Sequence, residues 1–318
     1  MAVAMRVLSV AAALTIVLAT SAPGSVVPDA TRHNVGTSFS DCLDICPEMV
    51  VVPAGQFLMG SPPGDQHQNA EGQEQPQHRV TIAHPFAVGK FEVMRDQYAS
   101  FVRETRLADP DGCNVHEPPR WPTIMGLNWH NTPFPQTGRD PVVCVSWQEA
   151  QAYTQWLSKR TGQSYRLLTE AEWEYADRAG TVTQAYWGDD PMKACKYANG
   201  VDATITERFP KAKWEDIVPC HDGYIFTAPV GSFQPNAFGL YDMEGNVFEW
   251  VEDCWAPNFE GATTDGSART QDGACTKRVN RGGSWTSNPT GLRAAHRDED
   301  NAESTRVVDL GFRVARNL

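Results

Sequence analysis

Eight cysteines, all downstream of a single apolar run near the N-terminus, constrain this chain more than any other feature. Arg6 supplies a short basic start, Val7 to Thr20 is almost wholly apolar, and the small residues Ser21 and Ala22 follow. That order predicts an export signal over residues 1–22, and the run is shorter than the roughly 20 residues that a membrane-spanning helix requires. A retained anchor is the competing reading. An exported chain reaches an oxidising compartment, periplasmic or extracellular, where an even cysteine count predicts disulfides rather than zinc ligands or free thiols. Eight cysteines allow about 105 pairings, which sequence does not resolve. Pairing of neighbours gives Cys42 with Cys46, Cys113 with Cys144, Cys195 with Cys220 and Cys254 with Cys275. Cys42 and Cys46 admit a second reading, a redox pair.

With 318 residues, 41% of them hydrophobic, the chain is long enough to bury a large core. Its 39 acidic and 27 basic residues give a net charge of −12. Such a surface repels a phosphate backbone, so no nucleic-acid partner is expected. No segment after the signal is apolar enough to span a membrane.

Residues 23–41 are small and polar and predict a flexible leader, with the folded domain running over 42–318. Met49 to Gly60 predicts two short strands around a Pro-Ala-Gly turn, and His78 to Val93 two more, broken near Pro85. Ser146 with Glu149, and Thr169 with Glu172, are Ser/Thr-x-x-Glu capping boxes opening helices that Gly162 and Gly180 would stop. A weaker helical pattern covers Asp96 to Thr105. Beyond Gly180 helical periodicity fades while glycine, proline and tryptophan abound, which predicts a loop-rich second half.

The densest oxygen-bearing segment is Asn236 to Trp250, where Asp242 and Glu249 bracket Gly245 and Asn246. Asn199-Gly200 and Asp222-Gly-Tyr224 form a second such pair, drawn together if Cys195 bonds Cys220. Hard carboxylate, amide and carbonyl oxygens suit calcium. The same residues also dominate ordinary turns.

Met49-Val-Val-Val-Pro-Ala-Gly55, Pro141-Val-Val-Cys-Val-Ser-Trp147, Arg166-Leu-Leu-Thr-Glu-Ala-Glu-Trp-Glu-Tyr-Ala176, Pro235-Asn-Ala-Phe-Gly-Leu-Tyr241, Gly245-Asn246, Glu249-Trp250, Arg281-Gly-Gly-Ser-Trp285 and Leu310-Gly-Phe-Arg313 occur in one order. In that order they resemble the formylglycine-generating enzyme, or sulfatase-modifying factor, family from about Cys42 to Arg316. The resemblance implies an α+β fold: a single loop-rich mixed domain related to C-type-lectin-like folds. It also implies two calcium sites, one using Asn199, Gly200, Asp222 and Tyr224, the other Asp242, Gly245, Val247 and Glu249. Asp242 stands where better-known members carry an amide.

The family reaction implied by the resemblance is oxidation of a sulfatase cysteine to formylglycine by oxygen and a copper ion held between two thiolates. Soft thiolates select reduced copper. By register, Ser287 and Leu292 occupy the two thiolate positions here, so copper is not expected. What remains near that centre is Ser284 and His296 as candidate catalytic groups, and Trp285, Arg293 and Arg297 as candidate substrate contacts. His67, His78, His84, His116, His130 and His221 are scattered without metal-ligand spacing.

Three functions follow from this: a divergent or inactive homologue acting on a protein or peptide, a calcium-stabilised module binding protein or glycan, and a small-metabolite oxidase of a related branch. For the last, the resemblance implies a metal-binding helical domain or special His ligands, which such branches often carry, and the sequence shows neither.

Overall fold

The structure, a computed structural model, describes residues 34–65, 72–116, 122–209, 216–270 and 275–318. The apolar run, most of the expected leader and His67 lie outside the described residues. Two sheets dominate. The first has five strands in the order β1 (Ser38–Phe39), β2 (Met49–Val52), β5 (Phe86–Gly89), β13 (Ala315–Asn317) and β8 (Tyr165–Arg166), each pairing antiparallel with its neighbour. The second runs β11 (Arg297–Asn301), β10 (Arg278–Arg281), β9 (Phe248–Cys254) and β12 (Leu310–Phe312), with β12 parallel to β9. Two small hairpins complete the strands: β3 (Gly55–Met59) with β4 (His78–Ile82), and β6 (Cys113–Asn114) with β7 (Thr123–Ile124). β1 falls inside the segment expected to be a leader. A two-residue edge strand shows no periodicity, and it is ordered by pairing Ser38 with Val50 and Phe39 with Met49.

The helices are α1 (Arg95–Thr105), α2 (Trp147–Thr161), α3 (Glu170–Arg178) and two short pieces, α4 (Ala194–Tyr197) and α5 (Ala203–Arg208). Both capping boxes form. Ser146 Oγ accepts Glu149 N–H at 3.2 Å while the Glu149 carboxylate accepts Ser146 N–H at 2.8 Å, and Thr169 and Glu172 repeat the exchange at 3.0 Å each way. Gly162 closes α2 in the left-handed region. α3 instead turns at Ala179 (φ 44°), one residue before the expected Gly180, which is itself left-handed at φ 93°. Glycine preference marks the second of these two turning residues only. The four neighbour disulfides are all present, and no cysteine is free. Among the described residues no helix is long and apolar enough to cross a membrane.

Apolar clusters fill the space beneath each sheet. One joins Val50, Val52, Val88, Leu168, Trp173 and Val251, and the other joins Tyr98, Tyr153, Leu157, Trp250 and Phe312. Through this core run ion pairs with almost no exposed surface. Glu174 on α3 accepts Arg178 Nε at 2.9 Å and Gly60 N–H at 2.9 Å through one oxygen, and Arg281 Nη2 at 2.5 Å through the other. Arg281 in turn donates to the Ala294, Ala295 and His296 carbonyls at 2.9, 3.0 and 2.7 Å. Those bonds lash the long loop after β10 to helix α3. Removing one partner of a buried pair strands the other charge, which costs about 3–5 kcal/mol. Glu174→Gln should therefore lower stability by about that amount in denaturant unfolding; a loss below about 1 kcal/mol would show that the pairs contribute no more than a surface ion pair does.

Candidate functional site

The loop from Gly282 to Arg293 holds five of the seven residues singled out for catalysis or substrate contact, Ser284, Trp285, Ser287, Leu292 and Arg293. It leaves β10 through two left-handed glycines, Gly282 (φ 97°) and Gly283 (φ 71°). A side chain at Gly283 would lie 2.7 Å from the Gly291 carbonyl, so the loop can fold back on itself only over glycine. Ser287 Oγ accepts Ser284 N–H at 3.0 Å, and the Ser287 carbonyl accepts Val201 N–H at 2.8 Å. Leu292 packs on Gly200, where an added Cβ would meet Leu292 Cδ1 at 2.6 Å. Ser287 and Leu292 thus flank one turn, but they offer a hydroxyl and an aliphatic chain, and all eight cysteines are committed to disulfides. This donor set does not fit copper(I), which takes soft sulfur ligands.

On one side of the turn Asp309, directly before β12, gathers three partners. Its Oδ2 accepts Ser284 Oγ–H at 2.7 Å and Thr286 Oγ1–H at 3.0 Å, and lies 2.7 Å from His116 Nε2. Burial opposes ionisation of Asp309, but the His116 charge and the bonds from His116, Ser284 and Thr286 outweigh it and hold the carboxyl below its ordinary range. The Cys113–Cys144 disulfide positions this cluster, because Asn114 and Cys144 both hydrogen-bond to the 306–308 backbone. Ser284 is fully buried and donates to Asp309 rather than to an imidazole, so it is not an activated nucleophile.

On the other side lie two adjoining cavities. The larger, of about 510 Å³, is bordered by Gly60 to Asp65, Arg178, Thr183, Gln184, Asp189 and Arg293. The smaller, of about 160 Å³, is more apolar, with Ala185, Trp187, Pro191, Ala194, Pro289 and Leu292. Gln184, Asp189 and Arg293 border both. Arg293 is fixed by a bidentate pair with buried Glu74 at 2.6 and 2.8 Å, so its charge is already balanced. Ser287 borders neither cavity.

Arg297 is spent inside the protein: it pairs with Glu170 at 2.5 and 3.0 Å and lies over Trp255 and Phe259. Trp285 is buried against Phe134, Phe226 and His116. His296 has a buried Nδ1 without a donor or acceptor, and burial together with the Arg293 charge pushes its pKa down to about 4, leaving the ring neutral at ordinary pH.

The Cys195–Cys220 disulfide is present and Gly200 N–H donates to Asp222 Oδ2 at 3.1 Å, and Asn246 links this first oxygen-rich set to the second. The Asn246 amide accepts Asn199 Nδ2–H at 3.2 Å and donates to Glu92 at 3.1 Å. In the first set Asn199 Oδ1 is buried without a donor, and burial, with Asp202 nearby, raises Asp222 to about 7. In the second, burial raises Asp242 to about 6, with Glu249 adding to it, and Asp242 Oδ1 is also buried without a donor. Among the described residues no group of three or more His, Cys, Asp or Glu side chains is arranged to hold a metal by itself. Any ion would draw on amide and backbone oxygens too, as calcium does. The orphaned oxygens fit such an ion.

Sequence reading missed His116, Asp309 and Glu92. Asp309 directly precedes the Leu310-Gly-Phe-Arg313 motif, a visible signal, whereas His116 and Glu92 meet their partners, Asp309 and Asn246, far apart in sequence.

Comparison with known proteins adds a family context. The profile of the sulfatase-modifying factor enzyme 1-like domain matches residues 35–318. A formylglycine-generating enzyme of Streptomyces coelicolor is 32% identical over 299 residues, covering 84% of this chain and 88% of the relative. An inactive C-alpha-formylglycine-generating enzyme 2 of Bos taurus is 31% identical over 300 residues, covering 84% and 87%. The solved structure of PvdO from Pseudomonas aeruginosa is 39% identical with a TM-score of 0.75, covering 90% of this chain and all of that one.

Asp309 supplies a test of the site's electrostatics. A carboxyl held below its unfolded value stabilises the fold above that value, and the contribution is lost as pH falls through the folded one. Asp309→Asn should cost about 1–3 kcal/mol above about pH 5, and the gap from wild type in denaturant unfolding should close as pH drops below about 4. A gap that widens in acid would contradict this assignment.

Proposed function

Because the chain belongs to the family of the sulfatase-modifying factor enzyme 1-like domain, we propose that it is a copper-independent member of that scaffold, binding an extended peptide or protein segment beside Leu292 and Arg293. One observation carries this reading: Ser287 and Leu292 occupy the thiolate positions while every cysteine is locked in a disulfide. Without paired thiolates the copper-dependent oxidation has no ligand set. The cavities beside that turn still suit a peptide. The apolar one, with Trp187, Pro191 and Leu292, matches a side chain, and the polar one beside Gln184, Asp189 and Thr183 matches a backbone. Four disulfides support residence in an oxidising compartment, periplasmic or extracellular.

Calcium belongs to the same proposal. Asn199, Gly200, Asp222 and Tyr224 would hold one ion, and the set around Asp242, Gly245, Val247 and Glu249 a second. Calcium there would supply a fixed positive charge that neutralises buried carboxylates and ties the Gly200 segment beneath Leu292.

Incubation with a Cys-x-Pro-x-Arg peptide, copper and oxygen should leave the peptide cysteine intact by mass spectrometry, and aldehyde formation would overturn the copper-independent reading. Replacing both positions, Ser287→Cys with Leu292→Cys, should create copper(I) capture that wild type lacks in a competition with a chromogenic chelator. Displayed random peptides selected on wild type should lose binding to Ala185→Trp, which fills the apolar cavity; peptides that bind both equally would place the binding surface elsewhere.

For calcium, the sign is set by Asp222 and Asp242. Folded values near 7 and 6, above the ordinary 3.8, mean that without a cation their contribution favours the fold below about pH 4 and is lost as pH rises through 6 to 7. Calcium binds the ionised forms, so it should raise the melting temperature more at pH 8 than at pH 5, read against a chelator control. No calcium effect at either pH would remove this part of the proposal.

A further inference from the structure

We infer that the Cys42–Cys46 disulfide is a thiol-exchange centre, and that the cavity beside Cys46 seats a cysteine-bearing peptide as its electron donor. This activity is independent of the copper and calcium readings above.

The ring stands apart from the other three disulfides. Its cysteines are 4 positions apart in sequence, whereas the others are 31, 25 and 21 apart. A bridge stabilises mainly by restricting the unfolded chain, and it does so least when the loop it closes is short. Here the loop is also closed without it. β1 and β2 flank the ring and pair Ser38 with Val50 and Phe39 with Met49. Next to Cys42, Asp41 accepts Tyr165 Oη–H at 2.5 Å and pairs with Arg316 at 2.9 Å. Beyond Cys46, the Glu48 carboxylate pairs with Lys90 at 2.9 Å, and the Glu48 carbonyl accepts Lys90 N–H at 2.7 Å. Opening the ring therefore leaves both of its ends tied down, and the two sulfurs stay near enough to rejoin.

The ring is also within reach of a partner. Leu43 at its tip is fully exposed and Cys42 is half-buried. Cys46 borders a cavity of about 540 Å³ that shares no residue with the two cavities beside Leu292. Phe91 and Met94 give this cavity an apolar part, while Arg103 and Arg139 bring guanidinium groups and Asp44 and Asp96 carboxylates. A peptide, carrying apolar side chains and both signs of charge, matches that lining. Arg103 donates to Ser100 Oγ at 3.1 Å and Arg139 to the Val230 carbonyl at 3.3 Å, and among the described residues neither is in an ion pair. A guanidinium favours the thiolate, which is the form that attacks a disulfide.

The exchange balances. The first peptide thiolate attacks Cys46 Sγ, so that a peptide–Cys46 bond forms, the Cys42–Cys46 bond breaks, and Cys42 leaves as a thiolate with the electron pair. The second peptide thiolate then attacks the peptide sulfur of that mixed disulfide, and Cys46 leaves in turn. The peptide gives up two electrons and two protons to become a disulfide, and the ring takes both up as two thiols.

The experiment uses the oxidised full chain. After exposure to reduced glutathione, alkylation and mass mapping should find Cys42 and Cys46 labelled, the other six cysteines still bonded, and the melting temperature unchanged. A synthetic peptide with two cysteines should yield one peptide disulfide per chain. Cys42→Ser, offered oxidised glutathione, should hold a mixed disulfide on Cys46. Arg103→Gln with Arg139→Gln should slow peptide oxidation at least about threefold without shifting the melting temperature, a change that a purely structural ring would not show. Labelling of another pair first, or of none short of unfolding, would overturn the exchange centre. Peptide oxidation at an unaltered rate in the folded double arginine variant would overturn the cavity as the peptide's seat.

Discussion

Buried guanidinium–carboxylate pairs hold this loop-rich chain in one shape. Arg281 and Arg178 share Glu174, Arg297 grips Glu170, Arg293 grips Glu74 and Arg313 grips Glu249, all with little or no exposed surface. Apart from Arg178 with Glu174, which lie one turn apart on α3, each pair joins segments far apart in sequence, and most also cap carbonyls of irregular segments. A loop cannot bury its backbone without such donors. Burying a charge costs several kcal/mol, and each pair is tolerated because nearly every proton and lone pair is used. Specific geometry is the return: the loop after β10 can take one path only.

That path places the site. Arg281 binds the 294–296 carbonyls from below, the two glycines turn the chain, and Asp309 collects Ser284 and Thr286 from the side. The turn is therefore held by bonds from outside it. Among the described residues, the Ser287 and Leu292 side chains contribute one hydrogen bond to the turn, Ser287 Oγ accepting Ser284 N–H. The same rigidity keeps the cavities beside Leu292 and Arg293 open.

Much of the fold was legible. The capping boxes at Ser146 and Thr169 are local devices, made within one helical turn, and they form as their residues dictate. The disulfides follow sequence neighbours because short loops close most readily. Reading failed where a residue's partner is distant. β1 is invisible without β2. Arg297, a plausible ligand contact in a basic and acidic stretch, is buried by Glu170, 127 positions away. Glu92 meets its partner Asn246 from 154 positions away.

Sequence by itself determined the family, the local elements, the absence of a thiolate pair and the spacing of the two oxygen-rich sets, since each is a matter of residue identity or of contacts within a few positions. Tertiary structure alone decided which charges are spent and which are left over. Glu249 and Glu92 are both buried glutamates, yet Arg313 and Trp173 pair with the oxygens of the first, while Oε1 of the second has no hydrogen-bond partner among the described residues. Hydrogen-bonding capacity is consumed by neighbours in space, and the order of residues along a chain does not record those neighbours.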